Sequence, residues 1–172
     1  MTIYIGIDPG ATGAIALIDA KSRSCEVVDM PLHPTAPPKK KAVGKKKKKP
    51  PALVDGRKLA KILGKLDTAN TLVIIEKVGA MPGQGVSSMF NFGNSAGVAR
   101  GVCEAMGFEV VFVSPQVWKK SHGLIGTVKD ASRVLAIKKH PALANELKRK
   151  RDGGRADALL IARWGAGTKR IQ

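Results

Sequence analysis

The 172-residue chain carries 30 Lys and Arg against 13 Asp and Glu, a formal net charge of +17. Its length suits one domain with a sizeable core, and 44% apolar residues can fill that core, which excludes a disordered basic tail. No apolar run approaches the roughly 20 residues of a membrane span, because Asp8, Asp19 and Glu76 interrupt the candidates. The N-terminus lacks the basic-then-apolar pattern of a secretory signal. Two cysteines, Cys25 and Cys103, form neither a disulfide framework nor a zinc spacing. The composition describes a reduced protein of the cytoplasm with a polyanionic partner and no membrane role.

In chain order, residues 2–8 (TIYIGID) and 13–19 (GAIALID) are β-branched strands separated by a Pro-Gly turn, and residues 25–30 give a third. This opening predicts an antiparallel meander. A proline-rich stretch follows from about residue 31 to residue 54. Within it, residues 39–49 (KKKAVGKKKKK) hold eight lysines and no acid, and removing these eight from +17 leaves +9. Such a segment repels itself and has little to bury, so it reads as a mobile, solvated insertion in a single domain of residues 1–172. Lys45, Lys46 and Lys47 at its centre are candidates for a sequence-independent grip on phosphates.

Leu59, Ile62, Leu63 and Leu66 form a helical stripe over residues 55–66. Residues 71–75 (TLVII) read as a strand covered on both faces. A helix is predicted from Ser87 or Ser88 to about Met106, then a fifth strand over residues 108–113. Ser114-Pro115 has the pattern of an N-cap with proline in the first helical position. Further helices are predicted over residues 129–139, 142–149 and 155–164. The order gives an α/β protein whose mixed five-stranded sheet is flanked by helices.

Acids are scarce, so those at strand ends or among apolar residues need a reason. Asp8 ends the first strand, Glu76 ends the fourth, and Asp157 lies among Ala156, Ala158, Leu159, Leu160 and Ile161. Each alone can be a cap or an ion-pair partner. Two adjacent strands and a helix laid across them would bring all three together. Carboxylate oxygens suit Mg²⁺ or Mn²⁺, and a carboxylate cluster in a phosphate-binding protein suggests two-metal phosphodiester hydrolysis.

The segments IGIDPGATGAIALID, VIIEKVGAMPGQGVSSMFNFG and RADALLIA resemble, in that order and spacing, the RuvC Holliday-junction resolvases, particularly their phage-encoded and related bacterial branch. The resemblance runs from about Ile3 to Gly165 and leaves the proline–lysine insertion unmatched. It implies an RNase H-like fold and a homodimer that nicks four-way DNA in pairs with Mg²⁺, two ions per site, in the cytoplasm of a bacterium or phage-infected cell. It carries catalytic and metal-ligand roles to Asp8, Glu76 and Asp157. The usual fourth ligand, three residues before the last acid, falls here on Gly154. Asp152 is the substitute candidate, since Gly153-Gly154 can bend the chain, the alternative being a helix cap. Lys129 matches one basic helper of the family, and either Lys119 or Lys120 matches another.

The same resemblance brings the glycine-rich segment 81–92 near a junction centre, where Phe90 or Phe92 can stack on an unpaired base while the other packs beneath the loop. Gly93, Gly97 and Gly101 give the following helix a smooth face, for packing on its own sheet or for a dimer contact. Competing readings are an RNase H-like nuclease for other branched or hybrid substrates, a non-catalytic basic DNA-binding protein, and a phosphate loop of an actin-like kinase. The last needs two lobes and far more chain.

Overall fold

The computed structural model describes residues 1–34, 52–79 and 83–168. The lysine run, with Lys45, Lys46 and Lys47 and the expected mobile loop, lies outside the described residues. Three strands open the chain, β1 (Ile3–Asp8), β2 (Ala14–Asp19) and β3 (Cys25–Asp29), each antiparallel to its predecessor. α1 (Gly56–Leu63), β4 (Thr71–Glu76), α2 (Val86–Ala105) and β5 (Glu109–Val113) follow. The chain continues through α3 (Pro115–Ser121), α4 (Ala131–Lys139) and α5 (Gly153–Thr168). β4 runs parallel to β1 and β5 parallel to β4, so the sheet order is β3-β2-β1-β4-β5. This is the mixed five-stranded sheet the sequence predicts.

Alternation along the strands divides the core. Ile5, Ile7, Val73 and Ile75 pack with Leu59 and Leu63 of α1 and with Ala99 and Cys103 of α2. Tyr4, Ala14, Ala16, Leu72 and Ile74 pack on the other face with Trp118 of α3 and the apolar side of α5. Asp8 and Glu76 share the alternation of Tyr4 and of Leu72 and Ile74, so their side chains leave the sheet on the α5 side.

α5 lies unusually close to the strands it crosses. A Cβ at Gly6 would overlap the Ala158 carbonyl oxygen and the Ala162 amide nitrogen, and one at Gly165 would press on Ile74. Gly154, in the first turn, would likewise drive a side chain into the Thr12 carbonyl and the Gly13 Cα. Small residues, including Ala156, Ala158 and Ala162, line the buried side of the helix.

The ends of the proline–lysine insertion leave the fold side by side. Leu32 and Val54 form an antiparallel bridge, the His33 amide donates to Leu53 O at 2.9 Å, and the Asp55 amide donates to Pro31 O at 2.8 Å. Asp55 then caps α1 by accepting from the Arg57 and Lys58 amides. Since β3 runs in the direction of β1, this neck sits at the same pole of the sheet as Asp8 and Glu76.

One predicted helix does not form. Residues 142–149 contain a short 3-10 turn, Pro141–Leu143, and no α-helix. Leu143 and Leu147 suggest a helical face, but they are separate anchors into the core, and the Leu147 and Lys148 carbonyls accept from Arg133 instead of from a following turn. The final helix, in contrast, is longer than predicted, beginning at Gly153 and reaching Thr168.

The tight crossing has a direct test. Gly6→Ala is expected to cost about 3 kcal/mol or more by overpacking, whereas Gly167→Ala in the last turn of α5, where an added Cβ meets nothing within 4 Å, should cost nothing measurable. Thermal unfolding of the two variants followed by circular dichroism checks the contrast. Equal midpoints would contradict it.

Candidate active site

The carboxyl ends of β1 and β4 lie beside each other, because Ile7 pairs with Ile75 and the next residues are Asp8 and Glu76. α5 places Asp157 one turn past its start, over the same pole. Gly13 is part of this construction. A Cβ there would meet the Asp8 backbone and its Cγ at 2.9 Å, so only glycine lets β2 begin against the acid. The Gly10 amide donates to Asp8 Oδ1 at 3.2 Å.

The three acids share one electrostatic environment. Burial pushes Asp8 up to about 7, Glu76 and Asp157 add to the rise, and the Gly10 amide and Lys119 oppose it. Burial also raises Glu76, with Asp157 adding to it, against the hydrogen bond from Trp118 and the charge of Lys119. Asp157 is raised by burial, opposed by the Ser132 hydroxyl and by Lys119. Lys119 therefore acts on all three carboxylates, while Lys120 is exposed on α3 and Lys129 is exposed in the turn before α4. The sequence left Lys119 and Lys120 as equals; the geometry puts Lys119 at the acids.

Asp152, the sequence's candidate for a fourth acid, is paired with Arg149 in this structure. It is 3% exposed, and its two oxygens accept from the Arg149 side chain at 2.8–3.2 Å and from the Arg149 amide at 2.8 Å. The paired guanidinium holds its carboxyl below the usual range. The fourth-ligand position of the resembled family is also closed, because Gly154 has no room for a Cβ against Thr12 and Gly13. Three carboxylates remain.

Their chemistry fits divalent ions in an open arrangement. Asp157 Oδ1 is buried with no hydrogen-bond partner among the described residues, an expensive state for a carboxylate oxygen unless a cation meets it. Among the described residues no three His, Cys, Asp or Glu side chains close around a single point as a preformed cage. Mg²⁺ needs no such cage, since it keeps waters and substrate phosphates around one or two carboxylates.

Beside Asp8 a cavity of about 340 Å³ is bounded by Gly10, Thr12, Ala52, Gln84, Ser88 and Phe92. Ala52 belongs to the neck of the insertion, so the lysine segment is rooted at the rim of the site. Phe92 is half-buried and faces Gly10, whereas Phe90 is 74% exposed one turn from the start of α2. Two polar groups at the site went unrecognised in the sequence: the Trp118 indole, which donates to Glu76, and the Ser132 hydroxyl near Asp157. Neither has a sequence pattern of its own. Trp118 reads as core, and Ser132 as one polar residue in the first turn of a helix.

With this geometry in place, the chain can be set beside known structures. Its fold superimposes on a Thermus thermophilus RuvC in complex with a Holliday junction substrate with a TM-score of 0.60, covering 99% of this chain and 96% of that one at 18% identity. A second T. thermophilus RuvC structure gives 0.56 over 98% and 96% at 19% identity. The chain has the RuvC fold. The chain also matches in sequence a Chlamydomonas reinhardtii protein named Holliday junction resolvase MOC1, chloroplastic, at 40% identity over 88 residues. Those residues are 51% of this chain and a tenth of that protein's length. No protein-family model matches the chain. No helix among the described residues is long and apolar enough to cross a membrane.

The raised acids give the metal-free protein a pH dependence that can be measured. Asp8 holds its proton to about pH 7 when folded but releases it near 3.8 when unfolded. The stability it contributes as the neutral acid is present below about pH 4 and is lost as pH rises through 7. Asp8→Asn should therefore gain stability over wild type as pH rises from 4 to 8, on the order of 2–4 kcal/mol. Mn²⁺ should raise the wild-type melting temperature at pH 8 and barely move that of the variant. A stability difference independent of both pH and Mn²⁺ would contradict a shared acidic ion site.

Proposed function

We propose that this RuvC-like protein is a DNA endonuclease that resolves four-way junctions by metal-dependent phosphodiester hydrolysis. The observation that carries the proposal is the convergence of Asp8, Glu76 and Asp157 with Lys119 at one pole of a RuvC fold, in a chain of net charge +17. The names of the similar proteins support the choice of junction over other branched DNA. Mg²⁺, with Mn²⁺ as substitute and two ions per site, is the proposed cofactor, held by the three acids.

Ions held by these three acids would lower the pKa of a water and offset negative charge at the leaving oxygen. The chain does the rest. Asp8 and Glu76 on adjacent strands fix two anionic positions on a rigid sheet, and Asp157 adds a third from α5. Lys119 balances their charge while the site is empty of DNA and faces the scissile phosphate when it is filled. Lys129, in the turn before α4, is a second proposed contact. Phe90 is the proposed base-stacking residue, and Phe92 the one that packs. The insertion rooted at Ala52 supplies Lys45, Lys46 and Lys47 as phosphate contacts, whose counterion release gives affinity without sequence preference.

A homodimer is part of the proposal. Gly93, Gly97 and Gly101 leave one side of α2 bare, with nothing within 4 Å of an added Cβ, while Ser95, Ala99 and Cys103 pack inward. A second copy meeting that side would hold two sites apart in two-fold symmetry, matching the symmetry of a junction. The compartment follows the DNA; the cytoplasm of a bacterial or phage-infected cell is proposed here, though the similar algal protein is named as chloroplastic.

Cleavage mapping on a synthetic four-way junction, beside a linear duplex and a Y-fork, tests the activity with Mg²⁺ titrated. Paired, symmetric nicks confined to the four-way junction are expected, and Asp8→Asn and Glu76→Gln should abolish them while junction binding persists. Preferential cutting of the Y-fork would favour a broader branched-DNA nuclease. Wild-type rates in both variants would overturn the assignment of the site.

A further inference from the structure

Trp118 is one of seven aromatic residues in the chain and is completely buried, between the sheet and α5. A buried indole carries one N–H that must find an acceptor. Here the acceptor is Glu76 Oε1, at 2.8 Å. A hydrogen bond to a carboxylate is stronger than a neutral one and directional, so it selects one rotation of the Glu76 head group. Glu76 itself is only partly buried, so its head group is not fully taken up by this bond.

The same ring organises the cation. Lys119 Nζ lies 5.2 Å from the centroid of the Trp118 ring, within the range of a cation–π contact. His122 packs on the indole edge-on at 6.4 Å between centroids and is itself fixed by a 2.9 Å hydrogen bond to Leu160 O of α5. The Ser121 hydroxyl donates to the Trp118 carbonyl at 2.7 Å. The indole is thus clamped from several sides. It touches an acid and a base of the site without facing the reacting atoms.

We propose that Trp118 is the positioning residue of the ion site, presetting Glu76 through its N–H and seating Lys119 over its ring. This deepens the nuclease reading and rests on it for the identity of the ion, but its principal readout is metal affinity. Partners that orient a metal ligand typically change affinity or activity 10–100-fold when removed.

The test uses the full chain with Trp118→Phe, and with Trp118 replaced by benzothienylalanine, which keeps the ring shape and lacks the N–H. Mn²⁺ binding is measured by calorimetry, and the Mn²⁺ concentration for half-maximal junction cutting is measured in parallel. Both variants should weaken Mn²⁺ binding about 10–100-fold. The half-activating Mn²⁺ concentration should rise by the same factor, more than the maximal rate falls, and metal-free junction binding should hold. A folded benzothienylalanine protein that binds Mn²⁺ within twofold of wild type overturns the proposal, whether or not Trp118→Phe folds. So does unchanged Mn²⁺ affinity in Glu76→Gln, or no Mn²⁺ binding by wild type. If wild type binds Mn²⁺ and the variants lose it, but no junction is cut, Trp118 keeps its role and the junction-resolving reading fails instead.

Discussion

Everything at the candidate site depends on how closely α5 can approach the sheet. Glycine and alanine make that approach possible: Gly6 on the strand, Ala158 and Ala162 on the helix, and Gly154 against Thr12 and Gly13 at the helix start. Backbone nearly touches backbone along this seam. Asp157 is carried between Ala156 and Ala158, so the contact that buries the helix also fixes the height of the third acid above Asp8 and Glu76. A bulkier seam would lift Asp157 away from the strand ends. The same seam leaves no room for a side chain at Gly154, against Thr12 and Gly13.

The electrostatic arrangement follows from the packing. Burial disfavours the charged form of all three carboxylates and raises their pKa values, and repulsion between the acids adds to the rise at Asp8 and Glu76. Lys119 and the Trp118 and Gly10 N–H groups supply only part of the compensation. Asp29 and Asp152 are different: each is matched to an arginine, Arg155 and Arg149, and each is held below the usual range. Acids matched to an arginine support the fold, whereas Asp8, Glu76 and Asp157 have no arginine partner among the described residues. The net charge of +17 thus coexists with a small group of buried acids at one pole of the sheet.

Much of this was legible in the sequence. Strand ends at Asp8 and Glu76 follow from β-branched runs terminated by an acid, and Asp157 stands out as a carboxylate within an apolar helix. The meander follows from short turns, and the mixed sheet from the alternation of helices and strands after it. Other features are three-dimensional. Asp152 looks like a ligand because two glycines follow it, yet Arg149, three residues earlier, takes both its oxygens. Residues 142–149 carry helical spacing, yet their carbonyls are taken by Arg133, distant in sequence. Phe90 and Phe92 are equivalent in composition and separate only when one faces Gly10 and the other solvent. Trp118 has no motif at all; its partner is 42 residues away.

We propose an ion site built from Asp8, Glu76 and Asp157, with no fourth carboxylate from Asp152. Anomalous diffraction from crystals of the full chain grown with Mn²⁺ tests it most directly. Manganese peaks are expected within coordination distance of Asp8, Glu76 and Asp157, with Asp152 still paired to Arg149. Peaks absent from those acids, or Asp152 turned away from Arg149 to coordinate manganese, would contradict it.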